Sequence, residues 1–99
     1  MWEEFENGNT IGTKGSENGE IIRDEELTNP ARITLEKDGS TAPFSITVGV
    51  YGLFFHTAFY GDLKEGNDKF DLMKSDINNY FIMSPEEAEN WIDEFITSY

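Results

Sequence analysis

Residues 41–61 contain no Asp, Glu, Lys or Arg, while residues 1–40 carry ten acids and four bases and residues 62–99 carry ten acids and three bases. A chain of 99 residues has room for one modest core, and the uncharged stretch is where that core must be built. It does not read as a membrane span. Pro43, three glycines, Thr41, Ser45, Thr47, His56 and Thr57 interrupt it, and neither border carries the Lys or Arg that anchors a span at the lipid surface.

The stretch alternates instead with the period of a β-strand. Phe44, Ile46, Val48 and Val50 fall on one side and Ser45, Thr47 and Gly49 on the other. A second run, Leu53 to Tyr60, follows at once. A two-residue hairpin loop at Tyr51-Gly52 would pair Val50 with Leu53, Val48 with Phe55, Ile46 with Thr57 and Phe44 with Phe59. The opposite face would then carry Phe54, His56 and Tyr60 beside Ser45 and Thr47. Upstream, Ala31, Ile33 and Leu35 alternate with Arg32, Thr34 and Glu36, a half-buried strand closed by Asp38-Gly39. A weaker strand is expected over 20–24, ahead of the Asn29-Pro30 stop. Residues 7–19, with Asn7-Gly8, Gly12, Gly15 and Asn18-Gly19, read as turns following a single helical turn at Trp2–Glu6.

Beyond Gly61 the period changes. Phe70, Met73, Ile77, Tyr80 and Phe81 form a helical stripe, with Asn67 or Asp68 as the expected cap. Ser84-Pro85-Glu86-Glu87 is a capping box with Pro at the first helical position, and Ala88, Trp91, Ile92, Phe95 and Tyr99 make one face after it. The expectation is an α+β fold: an antiparallel three- to four-stranded meander over 20–24, 31–37, 44–50 and 53–60, with two C-terminal helices over 67–81 and 85–98 packed on one face. Residues 1–99 would be a single small acidic domain, turn-rich over 1–19, stranded over 20–60 and helical over 67–98.

Several chemistries are excluded by what the chain lacks. It has no cysteine and one histidine, which removes disulfides, thiolate nucleophiles, iron–sulfur clusters and most zinc sites. Asp62, Glu65, Asn67, Asp68 and Asp71 are rich in oxygen, but counting from Asp62 puts Lys64, Gly66 and Met73 where a calcium loop needs ligands. No metal is expected. No phosphate-binding glycine loop or dinucleotide fingerprint is present, so no cofactor is expected either. No serine is surrounded by the glycines of a nucleophile elbow, and the uncharged stretch has no acid to orient His56, which leaves no catalytic residue to name.

A formal charge of −13 disfavours nucleic acid and anionic membranes and favours basic proteins. The leading expectation is a non-enzymatic protein-interaction module, an acidic inhibitor or immunity-type partner of a basic protein, using Glu87, Asp93 and Glu94 on the outer face of the last helix. Asp93 and Glu94 would lie toward the negative end of that helix, where acids are mildly unfavourable. The alternative is a small-ligand-binding protein or minor enzyme using the open sheet face around His56, with Arg32, Thr34, Thr47, Phe54 and Tyr60. If the N-terminal segment with Trp2, Phe5 and Ile11 leaves that face uncovered, a homodimer would bury it. The opening residues Met1-Trp2-Glu3-Glu4-Phe5-Glu6 carry acid where a secretory leader carries base, so a cytoplasmic protein is expected.

Overall fold

The alternating segments become the middle of a sheet. In a computed structural model describing residues 1–99, β1 (Trp2–Glu4), β2 (Glu20–Leu27), β3 (Ala31–Lys37), β4 (Phe44–Val50) and β5 (Phe54–Tyr60) pair antiparallel in the order β1-β2-β3-β4-β5. Helices α1 (Leu63–Tyr80), α2 (Pro85–Ala88) and α3 (Trp91–Ser98) follow. The α+β class expected from the sequence is the one observed. No helix is long and apolar enough to cross a membrane.

One face of the sheet is the core. Ala31, Ile33 and Leu35 of β3 and Ile46, Val48 and Val50 of β4 meet Phe70, Met73 and Ile77 of α1 and Trp91 and Phe95 of α3, all buried. Each large side chain so buried contributes about 1.5–3 kcal/mol. At β2 the same face carries Arg23 and Glu25 between Ile22 and Leu27, which pack against the core, and ions hold α1 down. Arg23 lies over the Phe70 ring, 3.9 Å from its centroid, and donates to Asp71 at 2.9 Å and to Glu25 at 3.1 Å. Lys74 reaches the same Glu25 at 2.7 Å.

Four expectations need correction. The hairpin register is shifted by one residue: Val50 pairs with Phe54, Val48 with His56, Ile46 with Ala58 and Phe44 with Tyr60. The loop has three residues, Tyr51-Gly52-Leu53, with Leu53 N–H donating to the Val50 carbonyl at 2.9 Å and Gly52 at φ 78°. A one-residue slip turns every side chain over, so Phe54, His56 and Tyr60 face the helices and Phe55, Thr57 and Phe59 face outward. The sheet has five strands because Trp2–Glu4 pairs with Glu25–Leu27 rather than forming a helical turn, and β2 runs on to Leu27. Helix α1 starts four residues before Asn67, capped by Asp62, whose carboxylate accepts from Glu65 N–H at 2.8 Å. The C-terminal helix is broken at Glu89-Asn90 into α2 and α3.

Candidate functional site

The second sheet face is built from the polar halves of the same strands. Arg32, Thr34 and Glu36 of β3 lie beside Thr47 and Gly49 of β4, in the register Arg32↔Gly49, Thr34↔Thr47 and Glu36↔Ser45. Asp24 of β2 sits opposite Thr34. Over this floor folds the segment between β1 and β2. Glu6, Asn7 and Gly8 adopt left-handed φ of 48°, 57° and 82°, a conformation that costs non-glycine residues energy, and the reversal carries the chain from the sheet edge onto the face.

Two carboxylates tie the segment down. Asp24 and Glu36 are each only 1% exposed. Asp24 receives Arg32 Nε and Nη2 at 2.9 and 2.7 Å, Thr34 Oγ1 at 3.0 Å and Thr10 Oγ1 at 2.8 Å, so its charge and its lone pairs are both occupied. Asp24 in turn raises the pKa of Arg32, through that hydrogen bond first. The Phe5 ring covers the guanidinium at 3.8 Å, a cation–π contact. Glu36 accepts the backbone N–H groups of Gly19 at 3.1 Å and Glu17 at 3.2 Å. Gly15 lies so close above it that a methyl group there would collide with the carboxylate. The loop is thereby anchored over one half of the face only.

Over the other half a cleft of about 480 Å³ remains. Thr10, Thr13, Lys14 and Ser16 form its loop wall, Arg32, Thr34 and Thr47 its floor, and Tyr51 and Phe55 its outer wall. Phe55 leans across Gly49; a Cβ on that glycine would stand 2.5 Å from the ring, so the pairing needs glycine. Thr47 and Thr57 hydroxyls meet at 3.3 Å beside it. Burial, the larger influence, and the nearby acids Glu26 and Asp24 raise the Tyr51 pKa, with Arg32 opposing, so its hydroxyl stays a neutral donor.

Of the residues singled out in the sequence for an open sheet face, the structure brings Arg32, Thr34 and Thr47 together in this cleft. It places Phe54, His56 and Tyr60 on the other side, beneath α3. Phe54 packs edge-on to Trp91 and Phe95 at 5.9 and 5.6 Å, and His56 edge-on to Phe95 at 6.4 Å. His56 Nε2 and the Tyr60 hydroxyl are buried there without a partner; on the opposite face, beside Glu36, so is Ser45 Oγ. Burial, then Glu65, raises the Tyr60 pKa. The residues missed are Tyr51, Phe55 and the loop hydroxyls of Thr10, Thr13 and Ser16. The turn-rich composition of 7–19 and the apolar Phe5 and Ile11 of the N-terminal segment were the signals that this segment could fold over the face.

The acidic helix residues also differ from expectation. Glu87 closes the capping box with Ser84, its Oε1 accepting Ser84 N–H at 3.2 Å. Because α3 restarts at Trp91, Asp93 and Glu94 lie in its first turn, at the positive end of its dipole, where they stabilise it. The mismatch inferred for them is absent. No cluster of three or more acidic or histidine side chains is arranged to hold a metal ion; Asp62, Asp68 and Asp71 are occupied in a cap and in pairs with Lys64 and Arg23. No protein-family model, curated protein or solved structure matches the chain.

Proposed function

We propose that the protein is a non-enzymatic binding module whose binding site is the cleft between the N-terminal loop and β4–β5. The observation that carries this reading is the cleft's lining: Thr10, Thr13, Ser16, Thr34 and Thr47 with Lys14 and Arg32, facing the rings of Tyr51 and Phe55 across about 480 Å³. Small-ligand sites span roughly 300–1,000 Å³ and join apolar walls to a few fixed polar groups. The carboxylates at its floor are committed to Arg32, threonines and backbone amides, and the single histidine lies across the sheet, so the groups present favour holding a molecule over transferring a proton. The ligand class that fits is a neutral or singly anionic small molecule with a flat ring for Phe55 and Tyr51 and hydrogen-bonding groups for Thr13, Ser16 and Thr47. Its proposed setting is the cytoplasm.

Amide and methyl NMR shifts against a library of such compounds test this. Shifts confined to Thr10–Ser16, Thr47, Gly49, Tyr51 and Phe55, and abolished by Phe55→Ala, support it; a library that leaves these residues unmoved at millimolar concentration removes it.

A second reading, docking of a basic protein on the last helices, rests on Glu86, Glu87, Glu89, Asp93 and Glu94, all exposed, with no Lys or Arg after Lys74. Capture from native cell extract should then fall steeply with salt, and a partner retained equally at high salt would count against it.

A further inference from the structure

The two edges of the sheet are unlike. β1 is three residues long and contains two glutamates, a short charged edge of the kind that resists pairing with another chain. β5 is seven residues long and contains no charge and no proline. No strand lies beyond it. On its outward face Phe55 is 75% and Phe59 44% exposed, with half-buried Thr57 midway between them.

We infer that β5 pairs with β5 of a second copy of this chain, antiparallel about a two-fold axis through Thr57. The spacing is self-complementary: with Thr57 opposite its own copy, Phe55 falls opposite the second copy's Phe59 and Phe59 opposite its Phe55. Directly opposed aromatic side chains are favourable cross-strand pairs, and an isologous contact of this kind closes after two copies.

Charge selects the same strand. A molecule carrying −13 repels itself, and the segments on either side of 41–61 are rich in acids. The longest stretch without Asp, Glu, Lys or Arg includes 41–61 and so β5, and along it two copies can approach without opposing like charges. Asp62, just past the strand, falls opposite Gly52 of the second copy, in the uncharged loop Tyr51–Leu53. Pairing in this register also sets the second copy's Phe59 beside Phe55, extending the outer wall of the cleft, so each copy would help to complete the other's site.

Sedimentation equilibrium of the full chain tests this. The expected result is a dimer that tightens as salt screens the acidic bodies, the opposite of what a complex with a basic protein would do. Thr57→Glu and Thr57→Lys, each placing like charges on the axis, should each weaken the dimer roughly tenfold or more, and an equimolar mixture of the two should restore it. The chain has no cysteine, so Thr57→Cys provides a second measurement that does not depend on the charged variants folding. Under mild oxidant it should cross-link far faster than Ser98→Cys, because opposed β-carbons are within disulfide reach. A wild type that stays monomeric at several hundred micromolar in high salt overturns the inference, as do charged variants that fold and dimerise like wild type, or a Thr57→Cys that cross-links no faster than the control.

Discussion

The two faces of the sheet are cut from the same strands yet held by different physics. Toward the helices, Ile33, Leu35, Ile46 and Val48 are sealed by Phe70, Met73 and Trp91, and the attraction depends on area and shape. Toward the N-terminal loop, Asp24 and Glu36 do the holding through a handful of directed hydrogen bonds. Apolar burial tolerates small adjustments of its partners; a buried carboxylate does not, since each lost donor leaves charge unsolvated. The loop face can therefore keep an open cleft beside its anchors, whereas a gap of that size on the helix face would remove much of the core.

Breaking the helix face should have the largest effect. Phe70→Ala should cost about 3–5 kcal/mol, unfolding both faces together, read as a lower midpoint in urea with unchanged slope. Asp24→Ala should cost less, about 2–3 kcal/mol, because its partner Arg32 is 35% exposed and regains water. Its signature is local. Hydrogen exchange should accelerate over residues 10–19 while the Phe70–Ile77 amides stay protected, and uniform acceleration would show that the faces are not separable.

A smaller change probes the cover of the core. Asp93→Lys with Glu94→Lys should destabilise by about 1 kcal/mol at low ionic strength, fading with salt, because both acids sit in the first turn of α3. An unchanged or raised melting temperature would mean that residues 85–98 form one unbroken helix. The mildest comparison is alkaline titration. Tyr51 on the open face and Tyr60 and Tyr99 on the helix side all have raised pKa values, burial being the largest cause of each, and Tyr99 is moved furthest, with its hydrogen bond to Asp76 adding to burial. The unfolded chain loses these protons first, near pH 10, so their contribution is complete below that pH and lost as pH rises through the folded values. Phenolate absorbance should appear last for Tyr99.

What the sequence revealed and what it concealed divide along the same lines. Strands β3 and β4 were legible to the residue because apolar and polar positions alternate without exception over Ala31–Glu36 and Phe44–Val50. β5 was legible as a strand and illegible in register: Phe54, Phe55, Phe59 and Tyr60 are apolar to both sides, so no pattern resists a slip, and one residue in the Tyr51–Leu53 loop decided the faces. The start of α1 carried a sign that went unused, Asp62 followed three residues on by Glu65, because no apolar periodicity precedes Phe70. β1 offered almost none, since three residues show no period. The cleft was half visible: its floor lay in the polar positions of β3 and β4, but its loop wall depends on Glu36 reaching backbone amides seventeen to nineteen residues away, a pairing that no local pattern encodes.

The strict sequential order of the sheet sets a timetable for synthesis. Every strand pairs with its neighbour in the chain, and contacts of that kind close quickly because little loop entropy stands in the way. All five strands also precede α1, so in a chain that emerges N-terminal end first the sheet can begin to zip together before residues 63–99 are free to cover it. Ile33, Leu35, Ile46 and Val48 then face solvent until α1 and α3 pack on them. Apolar surface exposed in that interval is what makes a partly folded chain prone to aggregation, and the arrival of α1 and α3 ends it.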